Sequence, residues 1–161
     1  MTDLHGVLRH EGDADAVTFE RDYDTDVDDL WAALVDPDRL ARWFAPVSGD
    51  LRLGGTVEVA FDDAPARFVV EVCEAPTTLQ VSWLHADRRS TVRARLSTVA
   101  ESLTRLTLMH ERLTSSAPEY AAGWHWYLDS LSQHTGRAVD PRPDWDALAD
   151  HYRAMQSAGR G

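Results

Sequence analysis

The stretch GWHWYLDSL, residues 123–131, decides the fold, because it lies in the only segment that is typical of a long amphipathic helix after a run of strands. Pro118 suits a first helical turn and Gly136 suits the end, so the pattern predicts a helix over about residues 117–135, roughly 28 Å long. Its apolar face carries Tyr120, Trp124, Tyr127, Leu128 and Leu131. Such a face must lie on a sheet, and its bulky aromatic rings either pack solid or enclose a cavity.

The start and the middle of this helix carry further signals. Ser116 and Glu119 have the spacing of a capping box, in which the serine hydroxyl accepts a hydrogen bond from a backbone N–H. Thr25 and Asp28 have the same spacing before an earlier helix. Gly123 lowers helix propensity by about 1 kcal/mol relative to alanine, so we expect another backbone to approach closely at that position.

The first fifty residues predict one strand and two short helices. Residues 16–23 alternate in polarity and predict a first strand, placed at an edge of the sheet because one of its faces is polar throughout. Apolar residues then recur at helical spacing over residues 27–35. Asp36 is expected to cap a second short helix, with Pro37 in its first position.

Later segments each have an apolar and a polar face, which is typical of strands covered on one side. They are residues 56–61, 67–74, 79–84, 90–98 and 103–111. Together with the helices, these strands predict an α+β fold. A curved antiparallel β-sheet wraps around the long C-terminal α-helix, and two short helices follow the first strand.

The predicted domain spans residues 16–136, and the two ends of the chain lie outside it. Residues 1–15 are polar and are expected to be only weakly ordered. Residues 137–161 form a C-terminal extension, in which Asp144 caps a short helix packed on the same domain. Trp145 lies on the apolar side of that helix, and we expect it to pack in the core.

Composition excludes several classes of partner. The net charge is −11 and no basic stripe is visible, which disfavours nucleic acid and anionic membranes as partners. No apolar run reaches the roughly 20 residues of a membrane span, and no signal-peptide pattern is visible. The single cysteine, Cys73, excludes an internal disulfide and favours a reducing compartment, so we expect a cytoplasmic protein.

Four segments together resemble the helix-grip fold of the START-like superfamily, also called SRPBCC or Bet v-like. Within it the chain is similar to the branch named after the activator of the heat-shock-protein ATPase. The segments are residues 27–44, 54–61, 106–113 and 123–131. The resemblance covers about residues 16–136 and implies an apolar cavity between the long helix and the concave face of the sheet.

Strand alternation predicts which residues would line this implied ligand-binding cavity. Its walls would be formed by Trp43, Phe44, Phe61, Phe68, Val70, Trp83, Leu106, Leu108, His110, Trp124, Tyr127 and Leu128. Trp43 and Phe44 would close one end. An apolar pocket with a few polar groups is the usual form of a small-molecule site.

His110 is the polar residue that alternation places on the inner face of its strand. It either orients a ligand or acts as a general base, or it is a core histidine satisfied by a carbonyl or a buried hydroxyl. His125 either flanks the cavity mouth or faces water, and its pattern favours exposure. His85 is expected at a strand end near Asp87, in a loop. No pair of His, Cys or carboxylate residues has metal-ligand spacing, so we expect no metal and no cofactor, and we assign no catalytic residue.

Three functions are compatible with these residues. The first is binding of a small hydrophobic or amphipathic molecule in the cavity. The second is a cyclase- or hydratase-like enzyme on a polyketide-like substrate, with His110 as acid–base and Tyr127 as its partner. The third, implied by the resemblance, is a co-chaperone or stress-related interaction domain, which leaves a chaperone partner and a homodimer open.

Overall fold

Eight antiparallel strands form one sheet within residues 4–61, 64–137 and 139–159, the part of the chain that the computed structural model describes. The elements are β1 Val7–Glu11, β2 Ala14–Tyr23, α1 Val27–Val35, α2 Pro37–Trp43, β3 Val47–Gly49, β4 Thr56–Val59, β5 Ala66–Glu74, β6 Thr78–His85, β7 Arg88–Ala100, β8 Leu103–Leu113, α3 Ala117–His134 and α4 Trp145–Gly159. The strand order is β1-β2-β8-β7-β6-β5-β4-β3.

The predicted α+β helix-grip fold is confirmed. The sheet is curved, α3 packs against it, and α1 and α2 connect β2 to β3. The apolar faces of the strands point to one hydrophobic core, because side chains alternate along each strand and α3 covers only one face. None of the described helices is both long and apolar enough to cross a membrane.

Residues 4–15 are more ordered than their polar sequence suggests, and residues 1–3 lie outside the described residues. Val7–Glu11 forms β1, which pairs with β2 through a turn at Gly12, where φ is 63°. The first predicted strand is therefore not at the edge, since β2 lies between β1 and β8. Sequence alternation missed β1 because an edge strand that is mostly exposed needs no apolar face.

Two of the helix caps differ from the expected capping boxes. Asp26 caps α1, and its side chain accepts a hydrogen bond from the Asp29 N–H at 2.8 Å. Ser116 precedes α3 with left-handed backbone, at φ 59°, and its side chain caps no described backbone N–H. Glu119 instead pairs with Arg153 of α4 at 3.1 Å. The left-handed backbone turns the serine side chain away from the helix end that it was expected to cap.

The other expected caps are present. The Asp36 side chain accepts from the Asp38 N–H at 3.0 Å, and Pro37 occupies the first turn of α2. Asp144 accepts from the Ala147 N–H at 2.7 Å at the start of α4. Cap positions whose backbone is extended therefore follow the sequence rule, since a short polar side chain then reaches the free N–H groups.

A buried ion pair joins α3 to the sheet. The Arg21 Nη1 of β2 lies 2.6 Å from the Asp129 Oδ1 of α3, and the two side chains are 1% and 0% exposed. Arg21 also donates through Nε and Nη2 to the backbone oxygen of Leu4, at 3.2 and 2.8 Å. Because both charges are buried, each depends on the other for compensation, and together they fix α3 and the N-terminal segment against β2.

The side of α3 that lies beside β2 is also covered by α4. His125 was expected to face water, but it is 2% exposed. Its Nδ1 lies 2.8 Å from the Tyr152 hydroxyl, which also accepts a hydrogen bond from the Gly6 N–H at 2.8 Å. The prediction was wrong because the C-terminal extension forms a helix of 15 residues that packs on α3.

Replacement of Asp129 tests the role of the buried pair. We expect Asp129→Asn to lower the free energy of unfolding by about 3–5 kcal/mol in urea denaturation, because the guanidinium of Arg21 stays buried without a counter-charge. Glu58→Gln is the matched control, since the Arg67–Glu58 pair is about half exposed, and it should cost less than about 1 kcal/mol. Equal losses in the two variants would contradict a special role for the buried pair.

Candidate functional site

A cavity of about 650 Å³ lies between the start of α3, the turn that joins β6 to β7, and the start of α4. Its lining residues are Phe44, Phe61, Trp83, His85, Ala86, Arg88, Ser115, Ser116, Glu119, Tyr120, Gly123, Trp124, Tyr127 and Trp145. Ala86 and Arg88 are exposed, so the cavity opens to solvent beside this turn. The volume lies within the roughly 300–1,000 Å³ that is usual for small-molecule sites.

Aromatic rings form most of the wall. Phe44 stacks on Trp124 at a centroid distance of 5.6 Å and meets the edge of Tyr127 at 4.7 Å. Phe61 lies 5.9 Å from Trp83 on the sheet side. Because α3 provides Trp124 and Tyr127 and the sheet provides Trp83, the aromatic contacts join the helix to the sheet while leaving space between them.

The structure brings five of the twelve predicted lining residues to the cavity: Phe44, Phe61, Trp83, Trp124 and Tyr127. The others are buried behind it in the core and do not line it: Trp43, Phe68, Val70, Leu106, Leu108, His110 and Leu128. Strand alternation identifies the inner face of the sheet, but α3 packs directly on most of that face. Alternation therefore could not distinguish core positions from cavity positions.

Several lining residues were not predicted, and they come from strand ends, turns, the first turns of α3 and the start of α4. Trp145 was expected to pack in the core, but it is 40% exposed and lines the cavity. His85 was expected at a strand end, and it is the last residue of β6 and faces the same space. Tyr120 did carry a signal, because it lies on the apolar face of α3 at helical spacing from Trp124. The position of α4 over the cavity had no signal in the sequence.

Gly123 has no close backbone neighbour, contrary to the expectation from sequence. No heavy atom of another described residue outside its own helix turn lies within 4 Å of the position that a Cβ would occupy. Gly123 lines the cavity, so its missing side chain leaves additional space there. A glycine inside a helix lowers stability, and at this position packing gives no compensating reason for it.

His110 is a core histidine with both ring nitrogens engaged. Its Nδ1 accepts a hydrogen bond from the Trp124 Nε1–H at 2.9 Å, so its Nε2 carries the ring proton and donates to Ser90 Oγ at 2.7 Å. Burial and, less strongly, a charge on His85 lower the pKa of His110 to about 3. His110 is therefore neutral at neutral pH. It is fully buried, which does not support the acid–base role considered for it.

A polar pair lies among the aromatic residues of the cavity. His85 Nδ1 is 2.8 Å from the Tyr120 hydroxyl, and the two residues come from opposite walls, β6 and α3. Arg88 and Glu119 add charge at the rim. Among residues 4–61, 64–137 and 139–159, no three His, Cys, Asp or Glu side chains converge as a metal site. The site can therefore offer aromatic surface and hydrogen bonds to a ligand.

The low pKa of His110 gives the protein a measurable pH dependence. Unfolding raises the pKa to about 6.5, so the unfolded state takes up a proton first as the pH falls. The contribution of neutral His110 to the free energy of unfolding is complete above about pH 6.5 and decreases as the pH falls below this value. We expect the difference in unfolding free energy between wild type and His110→Gln to shrink by up to about 1.4 kcal/mol per pH unit below pH 6. Parallel stability curves between pH 7 and 5 would contradict this assignment.

Comparison with solved structures gives relatives over most of the chain. CalU16 from Micromonospora echinospora is 29% identical over 97% of this chain and 96% of its own, with a TM-score of 0.75. DynU16, of the dynemicin biosynthetic locus, is 25% identical over 74% of this chain and 46% of its own, with a TM-score of 0.67. The Aha1 dimer from Colwellia psychrerythraea is 17% identical over 74% of this chain and 95% of its own, with a TM-score of 0.67, so this likeness shows the fold alone.

The family comparison agrees with the fold. No curated protein matches the chain significantly. The family model described as "Activator of Hsp90 ATPase homolog 1-like protein" matches residues 24–136, from the turn before α1 to the end of α3. This range includes the helices α1 and α2, most of the sheet and the long helix that forms one wall of the cavity. The chain therefore belongs to the family of Activator of Hsp90 ATPase homolog 1-like proteins.

Proposed function

We propose that the protein binds a small hydrophobic or amphipathic molecule in the cavity between α3, the sheet and the start of α4. The observation that carries the proposal is an open aromatic cavity with a glycine in its helical wall. Its size suits a molecule of several fused rings. The ring contacts would come from the five aromatic residues that were predicted from the sequence and that line the cavity: Phe44, Phe61, Trp83, Trp124 and Tyr127.

Gly123 supports binding rather than simple packing. A helix that served only to cover the sheet would be more stable with alanine at this position, by about 0.5–1 kcal/mol. Space for the Cβ is present, so no steric reason favours glycine. A glycine at this position is explained if the space beside α3 is occupied by a ligand, because a larger side chain would then compete with it.

The relatives support a natural product as the class of ligand. DynU16 is described as a protein of the dynemicin biosynthetic locus, and its likeness covers 74% of this chain. A polycyclic aromatic natural product would match the rings of the cavity wall in shape and polarity. The enzyme alternative has less support, because the histidine considered as acid–base makes both of its hydrogen bonds inside the core.

Substitution of Gly123 tests the proposal. We expect wild type to bind pyrene, a neutral four-ring fluorescent probe, and Gly123→Leu to weaken this binding at least about tenfold, because the leucine side chain projects into the cavity and competes with the probe. Gly123→Ala should raise the free energy of unfolding by about 0.5–1 kcal/mol. Affinity is measured by probe fluorescence and stability by urea denaturation.

Gln133→Leu is the matched control, because it adds the same side chain to an exposed position of the same helix. It should leave pyrene binding unchanged. Unchanged binding in folded Gly123→Leu, or no pyrene binding in wild type, would contradict the proposal. Native mass spectrometry of protein purified from its own host would then identify any molecule that copurifies with the chain.

A further inference from the structure

Most of the cavity wall is aromatic, and a hydrogen-bonded pair of side chains joins its two sides. His85 Nδ1 and the Tyr120 hydroxyl are 2.8 Å apart, and both side chains line the cavity. His85 ends β6, whereas Tyr120 lies in the first turn of α3. The contact therefore crosses from the sheet to the helix, and a ligand that fills the cavity lies beside it.

The position of Tyr120 is fixed by its neighbours. Its ring lies 5.0 Å from the ring of His110 and 6.0 Å from the ring of His85, in both cases edge to face. His110 is itself held by Trp124 and Ser90. A hydroxyl on a ring that is packed in this way loses little further freedom when a ligand binds, which favours specific recognition.

The chemistry of the pair suits an oxygen atom of the ligand. A phenolic oxygen has one proton and two lone pairs, so it can exchange hydrogen bonds with His85 and with a ligand at the same time. If His85 Nδ1 accepts the tyrosine proton, the phenolic oxygen can accept from a ligand hydroxyl. If Nδ1 is protonated, its N–H donates a hydrogen bond to the phenolic oxygen, and the tyrosine O–H can then donate a hydrogen bond to a ligand carbonyl. The two histidine tautomers thus cover the two common oxygen groups of aromatic natural products.

Covering this pair with a purely apolar ligand is unfavourable. Such a ligand would remove water from the polar groups without replacing its hydrogen bonds. A ligand with a hydroxyl or carbonyl at this position restores a hydrogen bond, so the site discriminates in favour of oxygenated rings. The aromatic rings of the remaining wall, such as those of Phe61 and Trp124, accept either kind of ligand.

We infer that the ligand is an oxygenated polycyclic aromatic molecule, whose hydroxyl or carbonyl is bound by Tyr120, with His85 as the residue that positions the tyrosine hydroxyl. This inference rests on the proposed binding function and adds the chemical class of the ligand and the residues that select it. Tyr120 touches the ligand in this arrangement, and His85 acts through Tyr120 from the end of β6.

Pyrene and 1-hydroxypyrene test the inference, because both are fluorescent and they differ by one hydroxyl group. We measure the dissociation constants of both probes for wild type and Tyr120→Phe. Tyr120→Phe should weaken 1-hydroxypyrene binding about tenfold and change pyrene binding less than about twofold. The ratio of the two effects removes the difference in water solubility between the probes, as in a double-mutant cycle.

The role of His85 has its own test. His85→Leu should reduce the selective binding of 1-hydroxypyrene about as much as Tyr120→Phe, because it removes the group that orients the phenol. His85→Asn should restore part of this selectivity, since its amide can again exchange a hydrogen bond with Tyr120. A residue with a purely structural role would lower the affinity for both probes and would not be rescued in this selective way.

The outcomes separate the inference from the proposed function. If pyrene binds wild type and is lost in Gly123→Leu, while Tyr120→Phe affects both probes equally or neither, the binding function stands and the inference is overturned. If Tyr127→Phe removes the selectivity and Tyr120→Phe retains it, the assignment to Tyr120 is wrong. If neither probe binds wild type, the proposed function and the inference both fail.

Discussion

The buried ion pair between Arg21 and Asp129 is the constraint on which the placement of α3 depends. Two opposite charges without access to water are stable only when they stay together, so β2 and α3 cannot separate or slide at this point. The same guanidinium binds the Leu4 backbone oxygen, which ties the N-terminal segment to the pair. His125, one helical turn before Asp129, contacts Tyr152, so that α4 is held against α3 near the same place.

The second anchor of α3 is a chain of hydrogen bonds from Trp124 through His110 to Ser90, which reaches across β8 to β7. It fixes His110 in one tautomer, because the indole N–H can only donate, while burial lowers the pKa of the ring and keeps it neutral. With α3 fixed at Trp124 and Asp129, its first turns do not collapse onto the end of the sheet. The cavity occupies this region, and Gly123 widens it. The polar anchors thus explain why an aromatic core contains an open space.

The sequence predicted which side chains face inward but not how deeply each one lies. Period-two alternation placed Leu106, Leu108 and His110 on the inner face of β8, and all three are buried there. Their distance from the cavity depends on where α3 touches the sheet, and the contacts of Asp129 with Arg21 and of Trp124 with His110 set that position. Alternation along a strand carries no information on a contact between elements that are far apart in the chain.

The sequence by itself determined most elements of the fold and their order, because periodicity and turn residues act over a few neighbouring positions. It also determined the long helix that includes residues 123–131, and this helix forms one side of the cavity. Only the tertiary structure decided that α4 lies over the cavity with Trp145 in its wall, and that His85 meets Tyr120. The residues of that pair are 35 positions apart in the chain, and those of the Arg21–Asp129 pair are 108 apart. Contacts over such separations follow from packing and burial, which no local pattern of residues records.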